Sequence, residues 1–284
     1  MNGNKTKMPR ERMTPRQWAS DHLEDLSISR VIPSALTLLG LCSGATAIKF
    51  ALIQEWKSAV AAIFCAMIFD MLDGQAARWL GADSRFGGQL DSLADLVSFG
   101  LAPAVVVYSW SLSQMGTAGW IGALIFCICS AIRLARFNIE AARDEGATQS
   151  HPYFTGLPTP GAAGVLLLPL LLTFEFKGDL FRDPLFSLAL IAITSILMVS
   201  RVPTPSLKHT RLDRNGRIAA GALVGVLVSL AVYVPWTMLI AGLLIYLGTI
   251  PFVIVKLGFK AAAPAPLYLE PEDSDDLEHL VPPG

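Results

Sequence analysis

Apolar residues in this chain come in long blocks, without the strict alternation of a half-buried strand. Eight blocks approach the roughly 20 residues a helix needs to cross a bilayer: 32–53, 58–81, 91–113, 117–139, 157–176, 184–200, 216–235 and 237–256. The pattern predicts an all-α integral membrane protein, a bundle of about eight transmembrane helices. The last two blocks are separated only by Pro235 and its neighbours, which predicts a tight helical hairpin. Ahead of the first block, residues 14–30 read as an amphipathic helix lying on the membrane surface. Thr14 can cap it, Pro15 suits its first turn, and Trp18, Leu23 and Leu26 share one face. The organisation expected is a cytoplasmic N-terminal segment (1–30), a membrane domain (31–257) and a disordered tail rich in Pro and acids (258–284).

Composition agrees. The apolar set makes up 53% of residues and charged residues only 16%, against about 25% charged in soluble domains. A net charge of −1 gives no reason to expect nucleic acid as a partner. Cys42, Cys65, Cys127 and Cys129 all lie in apolar runs without zinc-site spacing, and read as small buried hydrophobes. The polar first 30 residues lack the apolar stretch of a signal peptide, so insertion is expected through the chain's own helices. Lys and Arg fix the orientation. With the N-terminus in the cytoplasm, 18 of the 22 basic residues fall on the inner side, leaving Lys49, Lys57, Lys177 and Arg182 outside. Both termini are then cytoplasmic.

The second and third blocks differ from the rest in carrying acids. The stretch from Phe69 to Gly100 holds Asp70, Asp73, Asp91 and Asp95 in or beside apolar helix. A carboxylate at membrane depth costs at least a few kcal/mol, and Arg78 alone cannot neutralise four. Asp70 and Asp73 are i, i+3 and project from one helix face, which the small Gly74 and Ala77 continue. A phosphate or nucleotide can approach the backbone there, with Arg78 as a permanent cation able to fork onto phosphate. Asp91 and Asp95 are i, i+4 on the next helix, and a connection containing Gly81, Gly87 and Gly88 lets the chain reverse. Four converging carboxylates offer hard oxygen ligands suited to Mg²⁺ or Mn²⁺. Two such ions about 4 Å apart clamp a diphosphate well. Two other readings of the same acids are a buried salt-bridge network with Arg78 and Arg85, and the cation pathway of a transporter.

These residues resemble the CDP-alcohol phosphotransferase family, whose motif is D-x2-D-G-x2-A-R-x8-G-x3-D-x3-D. Here it reads Asp70, Asp73, Gly74, Ala77, Arg78, Gly87, Asp91 and Asp95, with every gap intact. The resemblance implies two divalent cations on Asp70, Asp73, Asp91 and Asp95, with Asp91 and Asp95 catalytic and Asp95 taking the proton of the acceptor hydroxyl. It implies a CDP-binding surface of Gly74, Ala77, Arg78 and Gly87, with CMP as leaving group. Many relatives also carry Pro-Asn and then Thr near the nucleotide. This chain has Pro33, Ser34 and Thr37, keeping a hydroxyl and losing the amide.

The segments 90–104, 132–140, 153–164 and 197–208 are similar to those of the family's serine-using bacterial members. The similarity implies CDP-diacylglycerol as donor, L-serine as acceptor, a bacterial inner membrane and a homodimer. Glycerol 3-phosphate, an inositol phosphate and choline are the alternative acceptors. Serine's carboxylate needs cations or donors, and Arg133, Arg136 and Asn138 are the candidates at the cytoplasmic end of the fourth block. The loop Tyr153–Pro160 is positioned to close over such a pocket. Arg201, Lys208 and Arg211 form an inner-leaflet cluster for anionic headgroups. His22, His151 and His209 carry no assigned role.

Overall fold

A computed structural model describes residues 28–82, 84–144, 154–200, 203–204 and 233–257. Residues 14–27 of the expected surface helix, 216–232 of the seventh block, the histidines, the Arg201 cluster and the acidic tail lie outside these residues, while 28–30 belong to the first membrane helix. The described chain is helical throughout, apart from one two-residue strand pair. Helix α1 is Ile28–Leu52 and α2 is Trp56–Leu80. Helix α3, Arg85–Asp95, runs without a break through a π-helical segment, Leu96–Leu101, into α4, Ala102–Trp110. Helix α5 is Thr117–Asp144, α6 is Thr159–Leu166, α7 is Leu168–Phe176, α8 is Pro184–Val199 and α9 is Pro235–Leu257. Strands β1 (Phe154–Thr155) and β2 (Pro203–Thr204) pair antiparallel, Phe154 opposite Thr204.

Length and hydropathy qualify four helical rods as membrane spans: Val31–Leu52, Trp56–Leu80, Phe86–Trp110 and Thr117–Glu140. The pair α6–α7, bent by 40°, supplies a fifth if it is one crossing. The described structure therefore carries four to five of the eight expected spans. The 16 residues of α8 fall short of the usual crossing length.

Several boundaries move from their sequence-derived positions for identifiable reasons. The third block starts at Arg85 rather than 91, because Ser84 caps the helix by accepting the Gly87 N–H at 3.0 Å. Gly87 and Gly88 consequently lie inside α3. The reversal is made by Gly81, which ends α2 at φ +58°, where a side chain would be strained. The block 157–176 breaks at Leu167, one residue ahead of α7, whose early Pro169 cannot donate to the preceding turn.

Half of the third rod's apolar window is buried, against 28% for the first two, so α3–α4 is the centre of the bundle. Helix α1 packs along α2 and also against α3 and α4, while α5 packs on α8 and on the π segment. The core joins Ala47, Val60, Ile63, Phe99, Val106, Phe126 and the run Leu166–Leu171. Exposed Leu38, Leu39, Ile68, Ile125 and Ile128 turn outward to lipid. Cys42 and Cys65 are also exposed, and Cys127 and Cys129 are only half-buried. The expectation of buried cysteines fails because apolar sequence in a membrane helix does not distinguish a core-facing from a lipid-facing position.

Close backbone approach shapes the centre. A Cβ on Gly44 of α1 would stand 2.6 Å from Ser98 Cα, so a glycine is required where α1 crosses the π segment. Ser98 Oγ then donates to Gly40 O at 3.2 Å. On the opposite side, a Cβ on Gly100 would stand 2.8 Å from Ser130 Oγ of α5. The wide π turn is thus wedged between two neighbours at its serine and its glycine.

Candidate active site

The i, i+3 spacing on α2 puts Asp70 and Asp73 on one face, and the i, i+4 spacing on α3 does the same for Asp91 and Asp95. The tight turn after Gly81 brings the two faces together. Carboxylate oxygens of Asp70, Asp91 and Asp95 lie within 4.8 Å of one another. Asp70 and Asp95 are close enough to hydrogen-bond, an approach that two bare carboxylates tolerate only with a proton or cation between them. Asp73 is buried at 5% exposure, and its Oδ2 has no hydrogen-bond partner. These carboxylates line a narrow cleft with Thr37, Gly40, Ala66, Ala94, Ser98 and Phe99. Asp73 sits seven residues before the end of α2, about 10 Å in from that end at 1.5 Å per residue.

The donor set fits divalent metal. It is all oxygen, anionic and convergent, and the buried orphan Asp73 Oδ2 needs a positive partner that Arg78, an exposed side chain, does not supply. Asp70, Asp91 and Asp95 are close enough together to hold one ion, and Asp73 lines the same cleft outside that trio.

Of the expected nucleotide surface, Gly74 directly follows Asp73 and Ala77 lies one turn beyond it, both half-buried, and Arg78 lies over Gly74, where a Cβ would be 3.6 Å from Arg78 Nη1. Gly87 serves the α3 cap, and a Cβ there would come within 3.1 Å of Ser84 Oγ. Thr37 is buried in the cleft wall and donates to Pro33 O at 3.1 Å, while Ser34, one turn earlier, is half-buried.

The acceptor candidates separate into different environments. Arg133 Nη1 donates to Thr159 Oγ1 at 2.7 Å, and its guanidinium faces Asp95. Arg136 Nη1 donates to Val199 O at 3.0 Å, tying α5 to the end of α8. Asn138 Oδ1 accepts from Ser92 Oγ at 3.0 Å, on the helix that carries Asp91. Arg133 thus interacts electrostatically with Asp95, and Asn138 is bonded to the residue next to Asp91. The segment before α6 is pinned rather than free: β1 pairs with β2, Leu157 N–H donates to Leu197 O at 3.3 Å, and Gly156 at φ +82° sits where a Cβ would meet Met198 O at 2.9 Å. Ser98, Thr159 and Tyr246 belong to the neighbourhood of the site without any spacing signal in the sequence to mark them.

The described residues form an apolar helical bundle, with rods long enough to cross a membrane, around a convergent cluster of carboxylates. The model of the CDP-alcohol phosphatidyltransferase family matches residues 30–204, and the chain belongs to that family. Named relatives agree. The CDP-diacylglycerol–serine O-phosphatidyltransferase of Mycobacterium leprae is 36% identical over 237 residues, covering 83% of this chain and 78% of the relative. The protein of the same name from Bacillus subtilis is 37% identical over 177 residues, 62% of this chain and 91% of its own length. That from Methanocaldococcus jannaschii is 35% identical over 181 residues, 63% and 77% respectively.

Proposed function

We propose that this chain transfers the phosphatidyl group of CDP-diacylglycerol to L-serine, forming phosphatidylserine and releasing CMP. The observation that carries this reading is the convergence of Asp70, Asp91 and Asp95 within 4.8 Å, inside a family whose similar members are named for that reaction.

Asp70, Asp73, Asp91 and Asp95 hold two divalent cations, Mg²⁺ or Mn²⁺. When bound, these ions neutralise the diphosphate and make CMP a good leaving group. Gly74 and Ala77 leave backbone open to the nucleotide, Arg78 and Gly87 flank it, and Ser34 and Thr37 face it from α1. Arg133 draws the acceptor's carboxylate toward the cleft, with Arg136 and Asn138 holding α5 in place around it. Asp95 takes the proton from the serine hydroxyl as that oxygen attacks the β-phosphorus. The new O–P bond forms as the bond to CMP breaks, and CMP leaves with the electron pair.

The setting proposed is the bacterial inner membrane. The N-terminal surface helix lies on the cytoplasmic leaflet, further crossings at 184–200, 216–235 and 237–256 complete eight, and both termini are cytoplasmic. Soluble serine and CMP then exchange with the cytoplasm while the lipid enters sideways. A homodimer is the proposed assembly.

The test is CMP release by purified protein with CDP-diacylglycerol and a panel of L-serine, glycerol 3-phosphate, inositol phosphate and choline. Release with serine alone, abolished by chelator and restored by Mg²⁺ or Mn²⁺, is expected. Release with another acceptor overturns the serine assignment. Release that persists in chelator overturns the metal assignment.

A further inference from the structure

Beyond Asp73 Oδ2 in the cleft, buried polar atoms without a hydrogen-bond partner among the described residues include Arg133 Nε on α5 and Tyr246 Oη on α9. These two are close enough to interact electrostatically, and Arg133 also faces Asp95 and Glu140. Each is a buried hydrogen-bond donor, and an unmade bond there is costly. The rest of the guanidinium is held in place. Arg133 Nη1 is bonded to the fully buried Thr159, the first residue of α6. The Tyr246 ring is positioned by Gly161 on the same helix, where a Cβ would be 3.1 Å from both Cε1 and Oη. Both donors are therefore held at the start of α6, and Arg133 is near enough to Asp95, the carboxylate proposed as the base, to interact with it electrostatically. Pro158, which precedes α6, gives that helix no side-chain cap, so its N-terminal end adds positive potential there.

A small anionic group satisfies both donors at once. We propose that Tyr246 is a specificity-determining residue whose hydroxyl, together with Arg133 Nε, binds the carboxylate of the amino-acid acceptor. This rests on the serine reading of the site. In serine, the carboxylate and the reacting hydroxyl are only a few bonds apart, so anchoring the first beside Arg133 brings the second to Asp95. Acceptors without a carboxylate leave the donors unpaired and are rejected on that ground. Tyr246 lies beyond residue 204, where the family match ends. The subsite is thus completed by a helix outside the matched segment.

The experiment compares wild type with Tyr246→Phe, measuring CMP release against L-serine and L-serinamide at saturating CDP-diacylglycerol. Loss of one hydrogen bond to a charged group raises KM for L-serine by about tenfold or more. The KM for serinamide changes little, so discrimination between the two falls by the same factor, and the KM for CDP-diacylglycerol is unaltered. Equal effects on serine and serinamide, or no effect on either, overturn the proposal. Gly161→Ala, which displaces the Tyr246 ring without removing its hydroxyl, gives the same selective rise in serine KM; an unselective effect there also counts against it. Absence of serine-dependent CMP release in wild type is a different result, and removes the serine reading itself.

Discussion

Asp95 is where the site's chemistry is most exposed to test. It belongs to the carboxylate cluster with Asp70 and interacts electrostatically with Arg133 of the proposed acceptor side. Replacing it by Asn keeps the shape and removes the base. Asp95→Asn is expected to lower turnover by at least about a hundredfold while nucleotide binding, followed by calorimetry with CMP and Mn²⁺, is largely kept. Near-normal turnover would strip Asp95 of its role. Asp73 differs, being deep and with Oδ2 unpartnered. Asp73→Asn is expected to weaken Mn²⁺ binding in the same titration, and unchanged affinity would exclude it as a ligand. The clustering of these acids was legible in the sequence because helical spacing puts two pairs of acids on two faces, while the roles proposed for them come from the family resemblance. Tyr246 was not legible: it is 151 positions beyond Asp95, in a run of apolar residues, and only the packing of α9 against α6 and α7 gives its hydroxyl a context. The cysteines misled for a related reason, since hydropathy in a membrane protein is the same toward lipid and toward core.

At the scale of elements, the central rod α3–π–α4 positions everything else. Its acids were visible as a pattern, but the π turn that follows Asp95 was not, because its cause is the crossing of α1 at Gly44 and of α5 at Ser130, both distant in sequence. Gly87 and Gly88 read as loop residues, yet Ser84 captures the Gly87 amide and draws them into helix. The crossing makes a defined prediction. Gly44→Leu drives a side chain into the Ser98 backbone, where even a Cβ is 2.6 Å from Cα. Overpacking of this kind costs about 1–3 kcal/mol, and should appear as a lowered melting midpoint in detergent together with reduced CMP release. Gly242→Leu on α9, where a Cβ meets nothing within 4 Å, is the matched control and should leave the midpoint in place. Equal midpoints for the two variants would show that α1 has room to move away.

For the whole molecule, the basic residues and the apolar blocks made a multi-pass membrane protein legible from the start. The number of crossings was less so, because α8 is short and α6–α7 is bent. Orientation has a direct test. A periplasmic-active reporter joined after Leu52 is expected to be active, and one joined after Leu80 inactive; the reverse pattern would invert the proposed topology. The acidic tail belongs to this scale too. Deleting residues 265–284 is expected to leave CMP release within about twofold of the full chain, since the Pro- and acid-rich tail carries none of the motif residues. Complete loss would show that the tail is needed.

The π segment has a consequence for helical phase. An α-helix advances about 100° per residue, and the wide turn at Leu96–Leu101 absorbs one extra residue between the acids and the buried half of the rod. Asp91 and Asp95 therefore keep an azimuth set by α2, while Val106, Val107 and Trp110 keep one set by the core. The segment acts as a coupling with a fixed angular offset, letting the reactive half and the packed half of a single helix answer to different neighbours.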